Sequence, residues 1–274
     1  MSAATLRHER AAGVALLRRP GNGRTLPLVL LHGIGSNGGT WAPVLAALDP
    51  AIDALAWDAP GYGESDNLPA AAPTPAHYAE ALALVLDALG LERIVLAGHS
   101  LGALFAARFA AAHPGRVAAL ALLSPALGYG VPEGAPLPAK VQARIDDLAK
   151  LGPTAFAAAR AARLVHRPEA KPAVLAGVRA AMGAVRPDGY ARAVRALGAG
   201  DLVADAAHVA APTLVLCGAE DVVTPPDNAS AAHAALVRPL GLEFVADAGH
   251  ALPQENPALV AARLAALALE AGHG

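Results

Sequence analysis

Two hydrophobic rhythms alternate along this chain. Short, nearly unbroken apolar runs fall at residues 28–31, 52–57, 94–97, 117–123, 213–217 and 242–245. Runs of that length without polar alternation suit strands covered on both faces. Between them lie longer alanine- and leucine-rich stretches, at about 40–48, 77–89, 101–113, 226–237 and 256–270, which predict helices. His113-Pro114-Gly115 gives one of these a clear stop. Strand and helix in repeated succession predict a mostly parallel sheet with helices on both faces. Ahead of residue 28, the segment MSAATLRHERAAGVALLRRPGNG predicts a hairpin of two edge strands that turns at RRPGNGR.

The rhythm stops between residues 125 and 210, where no strand is evident. Proline and glycine crowd 125–138, and amphipathic stretches follow, with Val141, Ile145 and Leu148 at i, i+4 and i+7. This predicts a helical cap, 125–210, inserted into a core made of 1–124 and 211–274. A chain of 274 residues holds one such domain without a second full one.

Composition narrows the chemistry. The apolar fraction is 55%, yet no uninterrupted apolar stretch approaches the roughly 18 residues of a membrane span. The amino-terminal run AAGVALL is too short for a secretory signal and lacks a cleavage site, so no membrane role is expected. A net charge of −2 without a basic block gives no footprint for nucleic acid. The single cysteine, Cys217, lies in an apolar run and reads as a core residue, which fits a reducing cytoplasm. The ten histidines form no metal-ligating motif, so no metal is expected. The expected partner is a small-molecule substrate; the oligomeric state is left open, a homodimer included.

The chemistry concentrates in RIVLAGHSLGALFAARFAAAHPG. Gly98-His99-Ser100-Leu101-Gly102 is G-x-S-x-G between an apolar strand and an alanine-rich helix. A strand-to-helix turn this tight strains the serine backbone and tolerates only small residues two positions either side. Ser100 is therefore the candidate nucleophile, exposed at the carboxyl edge of the sheet. A serine needs a base, and the base an orienting acid. Asp221 in PTLVLCGAEDVVTPP and His250 in FVADAGHALPQENP both follow apolar runs and are the candidates.

One stretch offers a competing reading. LVLLHGIGSNGG spaces Gly33, Gly35 and Gly38 as G-x-G-x-x-G, with Asp58 about 20 residues beyond, like a dinucleotide loop. In such a loop the helix begins among the glycines. Here Thr40 and Pro43 predict a helix starting only after Gly39, and Asp58, before Pro60-Gly61, reads as a residue bracing a turn.

HGIGSN, DAPGYGESD, GHSLG, GAEDVVTPP and AGH, in that order over nearly the whole chain, resemble the α/β-hydrolase superfamily. The likeness is nearest to its cap-bearing, cofactor-free members: esterases, enol-lactonases and hydrolases of ring-cleavage products. It implies an α/β fold with a mostly parallel eight-stranded sheet flanked by helices. It also implies the triad order Ser100, Asp221, His250, and no cofactor. His32-Gly33 would open an oxyanion loop, with the backbone N–H groups of Ile34 and Leu101 as its donors.

Two features bear on the substrate. Carbon–carbon bond hydrolases of this kind commonly carry Asn before the nucleophile, where this chain has His99. That departure favours a small ester or lactone over a ring-cleavage product, with a ligand receptor on the same fold as a third reading; His99 is also a candidate substrate contact. Residues 125–205 hold eleven Lys and Arg against seven Asp and Glu. Arg160, Arg163 and Arg167 are expected on one helical face, either solvated or holding a substrate carboxylate.

Overall fold

The apolar runs pair into one sheet of eight strands. A computed structural model of the chain describes residues 6–272; the first five residues of the amino-terminal segment lie outside these. The strands are β1 (Arg7–Ala11), β2 (Val14–Arg19), β3 (Leu28–Leu31), β4 (Ala54–Trp57), β5 (Ile94–His99), β6 (Val117–Leu123), β7 (Thr213–Gly218) and β8 (Pro239–Val245). Their order across the sheet is β1-β2-β4-β3-β5-β6-β7-β8. Only the β1/β2 and β2/β4 pairs are antiparallel.

The helices are α1 (Ala42–Ala47), α2 (Pro75–Ala88), α3 (Leu101–Ala112), α4 (Ala139–Arg160), α5 (Pro172–Gly183), α6 (Pro187–Ala199), α7 (Leu202–Ala206), α8 (Pro226–Ala235), α9 (Leu252–Glu255) and α10 (Pro257–Ala271). The elements α4 to α7 all lie between β6 and β7, where no strand was expected. Gly152, at φ 72°, kinks α4 ahead of Pro153.

The sheet separates two apolar cores because successive side chains of a strand point to opposite faces. In β3, Val29 and Leu31 join the core that contains α2 and α3, while Leu28 and Leu30 join the one that contains α1 and α10. On the first face Phe105 stacks on Tyr78 at 4.1 Å and meets Trp57 edge-on. Burying each such side chain contributes about 1.5–3 kcal/mol. Among the described residues no helix is long and apolar enough to cross a membrane.

Two local expectations are corrected. The hairpin does not turn at RRPGNGR. Ala11 pairs with Val14, leaving Ala12 (φ 46°) and Gly13 (φ 79°) as a two-residue turn with both residues left-handed, which matches the twist of the strands. RRPGNGR instead runs from the end of β2 toward β3, and β2 is an interior strand. Nor does Thr40 cap a helix: Gly38–Trp41 form a 3-10 turn that follows Asn37, and α1 starts at Ala42. The Thr40 hydroxyl donates to Asn37 O within that turn.

Candidate active site

Ser100 stands on the turn that leaves β5 for α3, at φ 54° and ψ −114°. A non-glycine residue held there costs on the order of 1–3 kcal/mol. Its neighbours explain why the turn closes. A Cβ on Gly98 would lie 2.2 Å from Gly102 O, and one on Gly102 would lie 2.3 Å from Leu31 O. Ser100 N–H donates to Leu123 O of the adjacent strand, so the strained peptide is tied to the sheet.

Because β3, β5, β7 and β8 run parallel, the loops leaving them meet at one edge. There His250 Nε2 lies 3.1 Å from Ser100 Oγ, and His250 Nδ1 lies 2.9 Å from Asp221 Oδ2. All three side chains are buried. Asp221 Oδ1 accepts the N–H groups of Val223 (2.8 Å) and Thr224 (2.9 Å). Burial by itself would raise the Asp221 carboxyl. The His250 ring and the two amides more than offset it and hold the group at about 2.

Thr224 was not anticipated. Its hydroxyl lies 3.1 Å from His250 Nδ1, 3.0 Å from Asp221 Oδ2 and 2.9 Å from Ser124 O. It can accept from Nδ1–H while donating its one proton to the carboxylate or the carbonyl. The sequence signal was present in DVVTPP: a hydroxyl three residues after the acid, as in turns where Asp accepts backbone amides.

On the other side of Ser100 lies the loop after β3. A Cβ on Gly33 would come within 2.9 Å of Ser100 Cβ. Ile34 and Leu101 both line the cavity that contains Ser100. Leu101 is the first residue of α3, so its N–H has no acceptor within the helix. His32 points away from the cavity. Its Nδ1–H donates to Gly33 O and its Nε2 accepts Ala59 N–H, which fixes the neutral tautomer that burial also favours. Asp58 braces the same loop by accepting Gly38 N–H at 2.7 Å, as its turn position suggested.

The expected substrate contacts are revised. His99 does not line the cavity; its Nε2–H donates to His250 O at 2.7 Å. Burial first, and His250 beside it second, push His99 down to about 3. In the unfolded chain it titrates near 6.5. Below about pH 6.5 the unfolded chain therefore binds a proton that the folded one refuses, and stability falls with pH until about pH 3. In urea titrations across that range, His99→Asn, which keeps a donor without the titration, should lose stability less steeply than the native protein. Parallel curves would contradict this.

Arg160, Arg163 and Arg167 do not share a helical face, because α4 ends at Arg160, residues Ala161–Leu164 form a 3-10 turn and Arg167 is left-handed at φ 47°. Arg167 is exposed and paired with Asp247. Arg160 and Arg163 line the cavity, of about 770 Å³, but Arg160 is paired with Asp147 at 2.5 Å over the Phe156 ring. Two further cations line it from α4, where Lys140, Arg144, Asp147 and Leu151 recur at spacings of 4, 3 and 4. Among the described residues neither Lys140 nor Arg144 is in an ion pair. Arg144 lies beside the buried Tyr190 phenol, which burial raises and Arg144 and Arg160 act to lower. No cluster of His, Cys, Asp and Glu able to hold a metal occurs among the described residues. Cys217 is buried as expected, its thiol pushed up to about 12 chiefly by burial.

A strained serine on a strand-to-helix turn, a histidine and an acid on later strand ends, and this sheet order are together the plan of one fold family. Residues 27–257 match the sequence profile of the α/β hydrolase fold, and the chain belongs to that family. Among solved structures it is similar to a thermophilic esterase of Thermogutta terrifontis, with malate bound, at 25% identity and TM-score 0.84 over 97% of this chain and 99% of that one. It is also similar to the enol-lactonase of Burkholderia xenovorans LB400, at 26% identity and TM-score 0.80 over 95% and 99%. A 2-hydroxy-6-oxononadienedioate/2-hydroxy-6-oxononatrienedioate hydrolase of Pseudomonas putida is 37% identical over 109 residues, 38% of either chain. The matched stretches span less than half the length of the first curated relatives, 28% for one from Mycobacterium tuberculosis.

Proposed function

We infer that this protein is a serine hydrolase that cleaves a small ester or lactone through an acyl-enzyme. The observation that carries this reading is the unbroken hydrogen-bonded line Ser100 Oγ, His250 Nε2, His250 Nδ1, Asp221 Oδ2, at 3.1 and 2.9 Å. In it Ser100 attacks the carbonyl carbon. His250 takes the hydroxyl proton and passes it to the leaving group, then activates the water that releases the acyl group. Asp221 holds the imidazole in the tautomer with Nδ1–H and stabilises the imidazolium. The amides of Ile34 and Leu101 would receive the developing oxyanion, each donor contributing about 3–4 kcal/mol to the transition state. No step calls for a cofactor. Helices α4 to α7 serve as a cap over the site, and the reaction would take place in the cytoplasm. Intact-mass measurement after mixing with p-nitrophenyl butyrate tests the reading: a single acyl adduct is expected, and hydrolysis without any trappable adduct on Ser100 would count against it.

The cavity's charge favours a carboxylate-bearing substrate, and the group that would receive it is Arg144, with Lys140 beside it, since Arg160 is already neutralised by Asp147. A planar guanidinium binds a carboxylate through two parallel hydrogen bonds. The native enzyme should prefer the p-nitrophenyl half-ester of succinic acid to p-nitrophenyl butyrate in kcat/KM. Arg144→Met should reduce that preference by about tenfold or more, since even one of the two charge-assisted hydrogen bonds lost is worth that much. Equal native activity on both esters would remove the carboxylate from the proposal. The P. putida relative is named for a dienedioate substrate, so a chromophoric dienone acid is the compound with which to test carbon–carbon cleavage by the same residues.

A further inference from the structure

The backbone on both sides of His250 is held by groups from outside its own loop. Its carbonyl accepts His99 Nε2–H, as described. On the carboxyl side Ala251 N–H donates to Leu164 O at 2.8 Å. On the amino side Gly249 N–H donates to Glu255 Oε1 at 2.9 Å. The other oxygen of Glu255 accepts His166 N–H at 3.0 Å and Lys171 Nζ–H at 2.9 Å. The Glu255 side chain is 0% exposed, a carboxylate carried wholly out of water and compensated by these three donors. Gly249 leaves no room for a side chain: a Cβ there would lie 2.8 Å from His166 N and 3.1 Å from Leu164 O. Segment 164–171 and loop 247–251 thus press backbone against backbone, and Glu255 is the buried side chain that bridges them. Lys171 reinforces the junction from its edge by also donating to Asp247 O.

We propose that Glu255 is a positioning residue for His250: by fixing the Gly249 peptide to the 164–171 segment, it sets where the imidazole sits between Asp221 and Ser100. This rests on the reading of His250 as the base. Proton transfer from Ser100 needs Nε2 within hydrogen-bond reach of Oγ, and the present 3.1 Å leaves little slack. A peptide that pivots at Gly249 lengthens that contact or rotates Nδ1 away from Asp221. The effect falls on the chemical step, because Glu255 does not line the substrate cavity.

The test compares Glu255→Ala, Glu255→Gln and Lys171→Met in the full chain, with p-nitrophenyl butyrate as substrate and the downfield Nδ1–H proton resonance of His250 as a second readout. Glu255→Ala should lower kcat on the order of tenfold to a hundredfold with KM little changed, the size of effect that a small misplacement of a reacting group produces. It should also broaden or abolish the resonance. Glu255→Gln offers one carbonyl for two amides and should fall between Ala and native. Lys171→Met leaves both amide bonds to Glu255 in place and should lose least. Should Glu255→Ala fail to fold, the Gln variant decides by the same criteria. Unchanged kcat, a change in KM alone, or losses that follow melting temperature while the resonance persists would each overturn the proposal. Turnover surviving in Ser100→Ala would sink the serine reading instead, and the resonance would still report whether Glu255 sets the His250–Asp221 contact.

Discussion

Ser100→Ala is expected to abolish acyl-enzyme formation and to reduce kcat by about 10⁶-fold, the loss seen when a triad nucleophile is removed. p-Nitrophenyl butyrate hydrolysis should then be indistinguishable from the uncatalysed rate, and the intact mass should show no adduct. The substitution removes one oxygen and leaves the fold alone. Ser100 N–H and C=O make the bonds that tie the turn to the sheet, to Leu123 O and from Ala103 and Ala126 N–H, and alanine keeps all of them. The strained φ remains, and alanine tolerates it about as poorly as serine. Melting temperature should therefore stay near native while activity vanishes. Retained turnover with no change in burst amplitude would mean that another group attacks, and would end the proposal.

How much of this was legible beforehand differs by element. β3 and β6 were read residue for residue, because a strand buried on both faces has no polar position to blur its ends. Elsewhere the sheet was right and the ends moved: β5 and β7 run on through His99 and Gly218 into the turns that lead to Ser100 and Asp221. The hairpin failed because Pro-Gly-Asn-Gly is a strong turn signal, and Ala12-Gly13 a weak one that succeeds only through its pairing geometry.

The candidate site divides along the same line. Ser100, Asp221 and His250 were legible because each sits at the carboxyl end of a strand, and a parallel sheet brings such ends together whatever lies between them in sequence. The α4–α7 segment has no such register. A 3-10 turn at Ala161–Leu164 was enough to send Arg167 away from the cavity. Arg160 found Asp147 thirteen positions back, across the Gly152 kink. Arg144 could have been found from the 4-3-4 recurrence on α4, a pattern that competed with the apolar stripe Val141, Ile145, Leu148 beside it. Glu255 could not: its partners are the backbone amides of Gly249 and His166 and the Lys171 ammonium, and only the folded chain brings these donors to one carboxylate.

Asp221→Asn is expected to cost about 10⁴-fold in kcat while leaving KM and fold close to native, the loss that follows when the base is held in the wrong tautomer. The direction follows from how the four donors are arranged. Oδ1 of Asp221 accepts two backbone amides, from Val223 and Thr224. An asparagine must point its one carbonyl oxygen there, since turning its NH₂ toward two N–H donors would leave all of them unsatisfied in a buried site. Its NH₂ then faces His250 Nδ1, which carries the proton in the native arrangement. The proton has to move to Nε2, and an Nε2–H cannot accept the Ser100 proton. Acylation should fail although every heavy atom stays in place. Thr224→Val makes the contrasting case, because it removes a shared hydroxyl but neither the carboxylate nor the amide bonds, and its loss should be far smaller. If Asp221→Asn costs less than tenfold, the acid that orients His250 is not Asp221.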